Sequence, residues 1–461
     1  MTDDALRDSP PEREATLHKR KKVVYALRRG TVPSQGLELF AVGLDHFAKV
    51  IDEELDQAAT SGAFKAVRGE YGSGKTFFAS WLVHRALSRD FATSIVQVAQ
   101  GTPLYRMETV YRQMLENMQT REHERGAFKQ LVDGWFYAIE EEVLEEGSID
   151  PENAAALAKA VGRRLEERLS DVSHEQPEFA VALRGMYEAK VAGEISTADN
   201  LLGWLMAKET VGAAAKRKAD LKGEIGHRTA GGFLRGLLAL LRQTGRRGMV
   251  LVLDEVETLM RVRHDQRKDS LEALRKLMDD ISKEQYPGLM VLITGTPAFF
   301  QSLKRDLPAL HDRLSVSFDA ADASFDNPRA VQIRLMPFDM DRLVEVGQKV
   351  RALYPTDDPA GMARRVPDPF LAALAKSIAG DLGGKVGLAP RIYLKALVDV
   401  LDRVDLRPDF DVATHYRFDL GALGLNATER AAAGIEVSPD EVGGEIDLDL
   451  DGGDADDGGI E

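Results

Sequence analysis

Eight consecutive residues, Gly69-Glu70-Tyr71-Gly72-Ser73-Gly74-Lys75-Thr76, satisfy the spacing GxxxxGK[ST] in full. Glycines let the amides of a loop close around an anion, an ammonium reaches the outer phosphates of a nucleotide, and a hydroxyl one position on can ligate magnesium. Gly69, Tyr71, Gly72, Ser73, Gly74, Lys75, Thr76 and Phe77 are therefore the candidate nucleotide contacts, with Lys75 on the β- and γ-phosphates and Thr76 on the metal. Far downstream, Val250-Leu251-Val252-Leu253-Asp254-Glu255 ends a run of β-prone apolar residues with two carboxylates. Asp254 is expected to hold magnesium, directly or through water, and Glu255 to orient and activate an attacking water, with Glu257 as a rival base. The implied cofactors are ATP and Mg2+.

Three more side chains qualify by position. Thr294, with Thr296 as competitor, stands where the apolar run 290–293 ends and could sense the γ-phosphate. Arg313, with Arg305 as the other candidate, follows the next helix and could enter a neighbouring subunit's site to neutralise transition-state charge. Arg391 follows Pro390 at a helix start, from where it can point towards phosphate.

Such residues need a sheet edge to meet at. The β-prone stretch 64–67 leads into the glycine-rich loop, and a helix over 76–87 leads out, with Phe77, Phe78, Trp81, Leu82 and Ala86 on one stripe. Further short apolar runs at 94–98, 249–253, 289–293 and 331–335 read as strands; a helix carrying Leu271, Leu274, Leu277, Met278 and Ile281 separates two of them. Strands alternating with helices predict a parallel α/β sheet flanked by helices. Between 105 and 241 only helical periodicity is present, with Asp150-Pro151 as a helix start, so a long helical insertion is expected. Helices are also expected over 17–29, over 44–58, and from Pro337 to about 405.

Composition narrows the chemistry. The 461 residues contain no cysteine, which removes disulfides, thiol nucleophiles and Cys-ligated zinc, and the nine histidines include no HExxH pair. No run approaches the roughly 18 apolar residues of a membrane span, and the first twenty residues lack a signal-peptide core, so no membrane and a cytoplasmic location are expected. The net charge of -15 is uneven: residues 431–461 hold eleven acidic side chains and no Lys or Arg. That tail is expected to be disordered, as a solvating segment or as a polyanion folding back on a basic groove. Basic residues cluster at 18–22, 28–29, 216–218 and 246–247, where they could neutralise phosphates. The expected division is a polar lead and basic helix at 1–36, a nucleotide-binding α/β domain at 37–335 with its insertion at 105–241, a helical lid at 336–410, a connector at 411–430 and the acidic tail at 431–461.

In this order the motifs resemble the AAA+ ATPases over about residues 37 to 405, particularly the initiator-like branch. More narrowly, the stretches Tyr25-Ala26-Leu27-Arg28-Arg29-Gly30-Thr31-Val32-Pro33, GEYGSGKTFF at 69–78 and APRIYLKALVDVL at 389–401 look like the P-loop ATP-binding proteins of bacterial BREX phage-defence systems (BrxD-like, distantly BrxC-like). The resemblance implies the P-loop NTPase (AAA+/ASCE) fold. It assigns Walker A roles to Lys75 and Thr76, Walker B roles to Asp254 and Glu255, a first-sensor role to Thr294, an arginine finger to Arg313 and a second sensor to Arg391. It further implies an ATPase acting on DNA beside helicase-like or other defence-system proteins, as a homo-oligomer. The departure is the 179 positions between Lys75 and Asp254, far more than a minimal core of that kind contains. Two functions are carried forward: an ATPase that assembles or remodels a partner complex on DNA, and a nucleotide-switched scaffold of little turnover that recruits a helicase or nuclease.

Overall fold

A computed structural model describes residues 10–99, 101–147, 149–150, 152–318, 325–382, 390–418 and 430. The acidic tail, the first nine residues, most of the connector and residues 387–389 of the Pro-Arg motif lie outside the described residues.

In chain order, α1 (Pro10–Arg29) and α2 (Asp45–Ala58) precede β1 (Ala63–Arg68), α3 (Lys75–Leu87) and β2 (Phe91–Gln97). Seven helices follow: α4 (Met107–Glu116), α5 (Ala127–Glu145), α6 (Ala154–Glu175), α7 (Pro177–Val191), α8 (Ile195–Leu205), α9 (Ala213–Lys218) and α10 (Ala230–Gln243). The alternation resumes with β3 (Gly248–Asp254), a 3-10 helix (Val256–Arg261), α11 (His264–Ser282), β4 (Leu289–Gly295), α12 (Pro297–Asp306), α13 (Pro308–Leu314) and β5 (Gln332–Arg334). The remaining helices are α14 (Met340–Leu353), α15 (Pro359–Arg365), α16 (Asp368–Asp381), α17 (Pro390–Leu406) and α18 (Val412–His415).

The chain divides into two compact units. One comprises Leu44–Glu70 and Lys75–Leu335; the other comprises Met1–Gly43, Tyr71–Gly74 and Met336–Glu461. The first holds a five-stranded sheet in the order β2-β3-β4-β1-β5, with every pairing parallel. All residues of β3 and β4 are buried, as expected for central strands covered on both faces and written as Val, Leu, Ile and Met. The helix α3 packs on β2, β3 and β4, and α10 packs on β3 and on α4, α6 and α7. Phe233, Leu237 and Leu241 of α10 therefore share one hydrophobic cluster with Leu251 and Leu253 of β3. The helical insertion is thus continuous with the sheet core.

One detail corrects the expectations, and a second adds to them. The helix expected to start at Asp150-Pro151 begins at Ala154, because the Asn153 side chain caps it by accepting the Ala156 N–H at 3.1 Å. Asp150 accepts the Glu152 N–H at 3.0 Å and closes a turn ahead of the helix. The basic clusters, second, are largely engaged within the fold. Lys218 pairs with Glu194, Arg246 with Glu122, and Arg247 with Asp56 at 2.8 Å.

In the other unit, α1 packs on α17, burying Val23, Val24 and Leu27. Arg28 grips Asp402 with two hydrogen bonds of 2.7 and 2.8 Å. Arg20 donates to the carbonyls of Leu353 at 2.6 Å and Tyr354 at 2.8 Å, at the C-terminal end of α14, where a helix leaves acceptors unsatisfied. Lys19 pairs with Glu38. Asp339 caps α14 and Asp358 caps α15, accepting amide hydrogens at 2.8 and 2.7 Å.

Candidate functional site

Strand register brings the site together. Gln97 of β2 stands beside Asp254 of β3, Leu253 beside Ile293 of β4, and Thr294 beside Val67 of β1. The C-terminal ends of four strands therefore form one edge, where open parallel sheets place ligands. Arg68 ends β1 directly ahead of Gly69, and Lys75 opens α3. In the loop between them, Gly72 and Gly74 have φ of 78° and 87°, a region that strongly favours residues without a Cβ.

At this edge the Lys75 ammonium is buried and donates to the carbonyls of Gly69 at 3.1 Å and Glu70 at 3.3 Å. The Thr76 hydroxyl donates to Asp254 Oδ2 at 3.2 Å. Residues separated by 178 positions thus share a hydrogen bond. Thr294, fully buried, donates to Asp254 Oδ1. The Glu255 N–H is shared between Asp254 Oδ1 at 3.1 Å and Thr294 Oγ1 at 3.2 Å. Every oxygen of Asp254 is therefore held by a donor, and its carboxylate is fixed in direction.

Glu255 itself sits in the left-handed backbone region, with φ 59° and ψ 44°. A non-glycine residue there carries strain of order 1–3 kcal/mol, which persists only where the surroundings impose it. The strand ends at Asp254 and the 3-10 helix starts at Val256, so this one residue absorbs the turn and lifts its side chain off the strand path. Gln97 Nε2 donates to Glu255 Oε2 at 3.0 Å. Glu257, in the same 3-10 helix, is buried, and its carboxylate lies 3.8 Å from Lys75 Nζ.

The other expected residues sit differently. Thr296 accepts the Phe299 N–H at 3.5 Å as the cap of α12, which accounts for it structurally. Arg313 is held by Asp279 and by the Ala309 carbonyl at 2.8 Å, so its guanidinium is engaged within its own unit. Arg305 pairs with Asp306 at 2.8 Å. Arg391 stands in the first turn of α17 in the other unit, where its guanidinium lies close to Gly30. Tyr71 is exposed and Ser73 is buried. Phe77, on α3, is half-buried.

Gln97 was missed in the sequence. Its signal is a polar residue ending an otherwise apolar strand, but that strand neighbours β3 only once the sheet order is known.

The arrangement fits a magnesium-bound triphosphate. A hydroxyl and a carboxylate, both hard oxygen donors, meet beside an ammonium at the end of a glycine loop. Among the described residues no group of three or more His, Asp or Glu is placed to hold a metal ion.

A five-stranded parallel sheet flanked by helices, with this loop and carboxylate pair at one edge, is consistent with a P-loop NTPase-like protein. The chain belongs to the BREX system ATP-binding protein BrxC/D family, which it matches over residues 16–420. Membership bears out the resemblance read from 25–33, 69–78 and 389–401, and it points to ATP binding and to a role in BREX phage defence. No curated protein and no solved structure matches the chain. No described helix is long and apolar enough to cross a membrane.

Proposed function

We propose that this protein is a DNA-associated AAA+ ATPase that couples ATP binding and hydrolysis to the assembly or remodelling of a partner complex in phage defence. One observation carries the reading: Thr76 of the phosphate loop and Thr294 both hydrogen-bond Asp254, beside a half-buried candidate base on the next residue. Magnesium bound with ATP supplies Lewis-acid polarisation of the γ-phosphoryl group. Lys75 holds phosphate oxygens, while Thr76 and Asp254 hold the metal. Glu255 orients the attacking water and takes its proton. Arg391 and, in trans, Arg313 neutralise phosphate charge in this proposal; Arg313 must first leave Asp279.

The proposed division keeps 37–335 as the nucleotide-binding domain and 336–410 as its lid. DNA association rests on the resemblance read from the sequence more than on charge, because Lys19, Arg20, Arg28, Lys218, Arg246 and Arg247 are already engaged by protein groups. Lys21 and Arg217 remain exposed members of the basic clusters.

The experiment is steady-state ATP hydrolysis with and without DNA. Glu255→Gln should bind ATP and lose hydrolysis by about 10²-fold or more, the usual contribution of a positioned base. Lys75→Ala should lose nucleotide binding. If Glu255→Gln hydrolyses as fast as wild type, Glu255 is not the base.

The nucleotide-switched scaffold is the second reading, favoured by the Gln97 hydrogen bond to one oxygen of the Glu255 carboxylate. Very slow turnover of wild type combined with ATP-dependent capture of a helicase or nuclease would select it.

A further inference from the structure

The helical insertion holds a cavity of about 190 Å³, walled by α4, the chain leaving α8, α9 and the turn ahead of α10. Part of its lining is apolar. Trp204, fixed by donating its indole N–H to the Gly223 carbonyl at 3.2 Å, stands there with Val211 and Ile225. The rest is charged, and the four cations outnumber the three carboxylates. Arg106 pairs with Glu108 at 3.2 Å and Arg112 with Glu209 at 2.9 Å, whereas Lys208 and Lys216 have no ion-pair partner among the described residues. Ala207, which lines the cavity just before Lys208, has φ 54°. That left-handed conformation is unfavourable for a residue with a Cβ, and strain of this kind gathers at ligand sites. One atom separates the cavity from an ordinary charged cleft. Glu108 Oε1 accepts from Arg106, but Oε2 is buried and meets no donor. Buried polar groups are nearly always satisfied, so this acceptor lacks a donor that the chain does not supply.

We propose that the cavity takes one unstacked nucleotide of single-stranded DNA, the amino group of its base donating to Glu108 and its phosphates held by Lys208 and Lys216. This deepens the DNA-associated reading and rests on it. A single strand brings in one unit an N–H donor, a flat apolar body and an anion, the three things this lining is built to meet. The volume suits a single base. An acidic peptide would also satisfy the lysines, but it would bring further carboxylates towards Glu108, Glu209 and Glu224. A nucleotide carries its charge on the phosphate and offers those carboxylates a neutral base. Cytosine presents an exocyclic amine that a carboxylate can accept from, and thymine has none.

Fluorescence anisotropy of labelled oligo-dC and oligo-dT with the full chain, with and without ATP and across a range of salt, tests the proposal. Wild type should prefer oligo-dC on the order of tenfold, the usual worth of one good base contact. Glu108→Met keeps the length of the side chain and removes the acceptor; it should bind oligo-dC more weakly and lose the preference. Equal affinity of wild type for the two strands overturns the proposal. Unchanged or tighter binding of oligo-dC by Glu108→Met also overturns it, because removing a carboxylate strengthens any merely electrostatic hold on a polyanion. Lys208→Ala combined with Lys216→Ala should weaken both strands and lower the slope of log affinity against log salt by about one unit. Wild-type affinity and slope in that variant count against the idea. A thermal melt of each variant checks folding. Should Glu108→Met fail to fold, Val211→Phe, which fills the apolar wall, should weaken oligo-dC by a similar factor, and unchanged binding overturns the inference. An acidic peptide whose binding depends on Glu108 and the two lysines, while the single strands ignore them, replaces it with a protein partner. A wild type that binds neither strand defeats the DNA-associated reading and this inference together, whereas wild-type binding that no substitution alters defeats the inference alone.

Discussion

Thr294 illustrates how a single hydroxyl can organise two acids. It donates to Asp254 and accepts from the Glu255 N–H, and it is fully buried. Its expected function as a γ-phosphate sensor is therefore accompanied by a structural one, orienting the proposed metal-binding carboxylate. Thr294→Val keeps the shape and deletes both hydrogen bonds, leaving the Glu255 amide and Asp254 Oδ1 with only each other at 3.1 Å. The expected cost is about 1–3 kcal/mol in stability, the usual worth of a buried hydrogen bond to a carboxylate. The magnesium concentration needed for half-maximal hydrolysis should rise as well, because Asp254 loses its fixed direction. Denaturant unfolding and a magnesium titration check the two effects; a variant with normal stability and normal magnesium dependence would show that Thr294 does neither job.

The strand that carries Asp254 depends on a close backbone approach at its other end. Gly248 opens β3 with φ 147°, and a Cβ placed there would lie 1.9 Å from the Gly288 carbonyl oxygen. The obstacle is backbone and cannot rotate aside. Gly288 itself precedes β4, so the contact sets the spacing of the two central strands, and through it the register that brings Asp254 level with Thr294. Gly248→Ala should destabilise the protein by roughly 2 kcal/mol or more, combining backbone strain and overpacking. Hydrolysis should fall with it although the substitution is at the opposite end of the strand. Thermal unfolding and activity measured at a temperature where the variant is folded separate the two effects. Length is the other lesson of the elements: seven helices stand between β2 and β3, yet these strands are paired neighbours. The insertion tolerates this because α10 returns an apolar face to β3.

Self-association is the expectation that concerns the complete protein. If Arg313 serves a neighbouring site, it must exchange Asp279 for phosphate, and ATP would favour the assembled form by mass action. Light scattering of Glu255→Gln with ATP should then report a species larger than the monomer, and Arg313→Ala should abolish it. A monomer under all these conditions would remove Arg313 from the catalytic scheme.

Several features were determined by the sequence alone because they are local. The phosphate loop, its leading strand and its following helix occupy one continuous stretch, and glycine spacing with apolar periodicity specifies them without reference to the rest of the chain. The strand ending in Asp254-Glu255 and the long helical insertion are of the same kind, since each follows from a short-range pattern of apolar residues. Cap position at α6 was displaced by three residues because Asp, Asn and Pro within a few positions offer competing ways to start a helix, and only the final packing selects one. Tertiary structure alone decided which strand ends meet: Gln97 touches Glu255, Thr294 touches Asp254 and Glu257 faces Lys75 because the sheet order places β2 beside β3 and β4 between β3 and β1. It also decided that most of the clustered cations are engaged by carboxylates and helix-end carbonyls. Charge written along a chain is a one-dimensional quantity, whereas a charge's partner depends on which distant groups folding brings within a few ångströms of it.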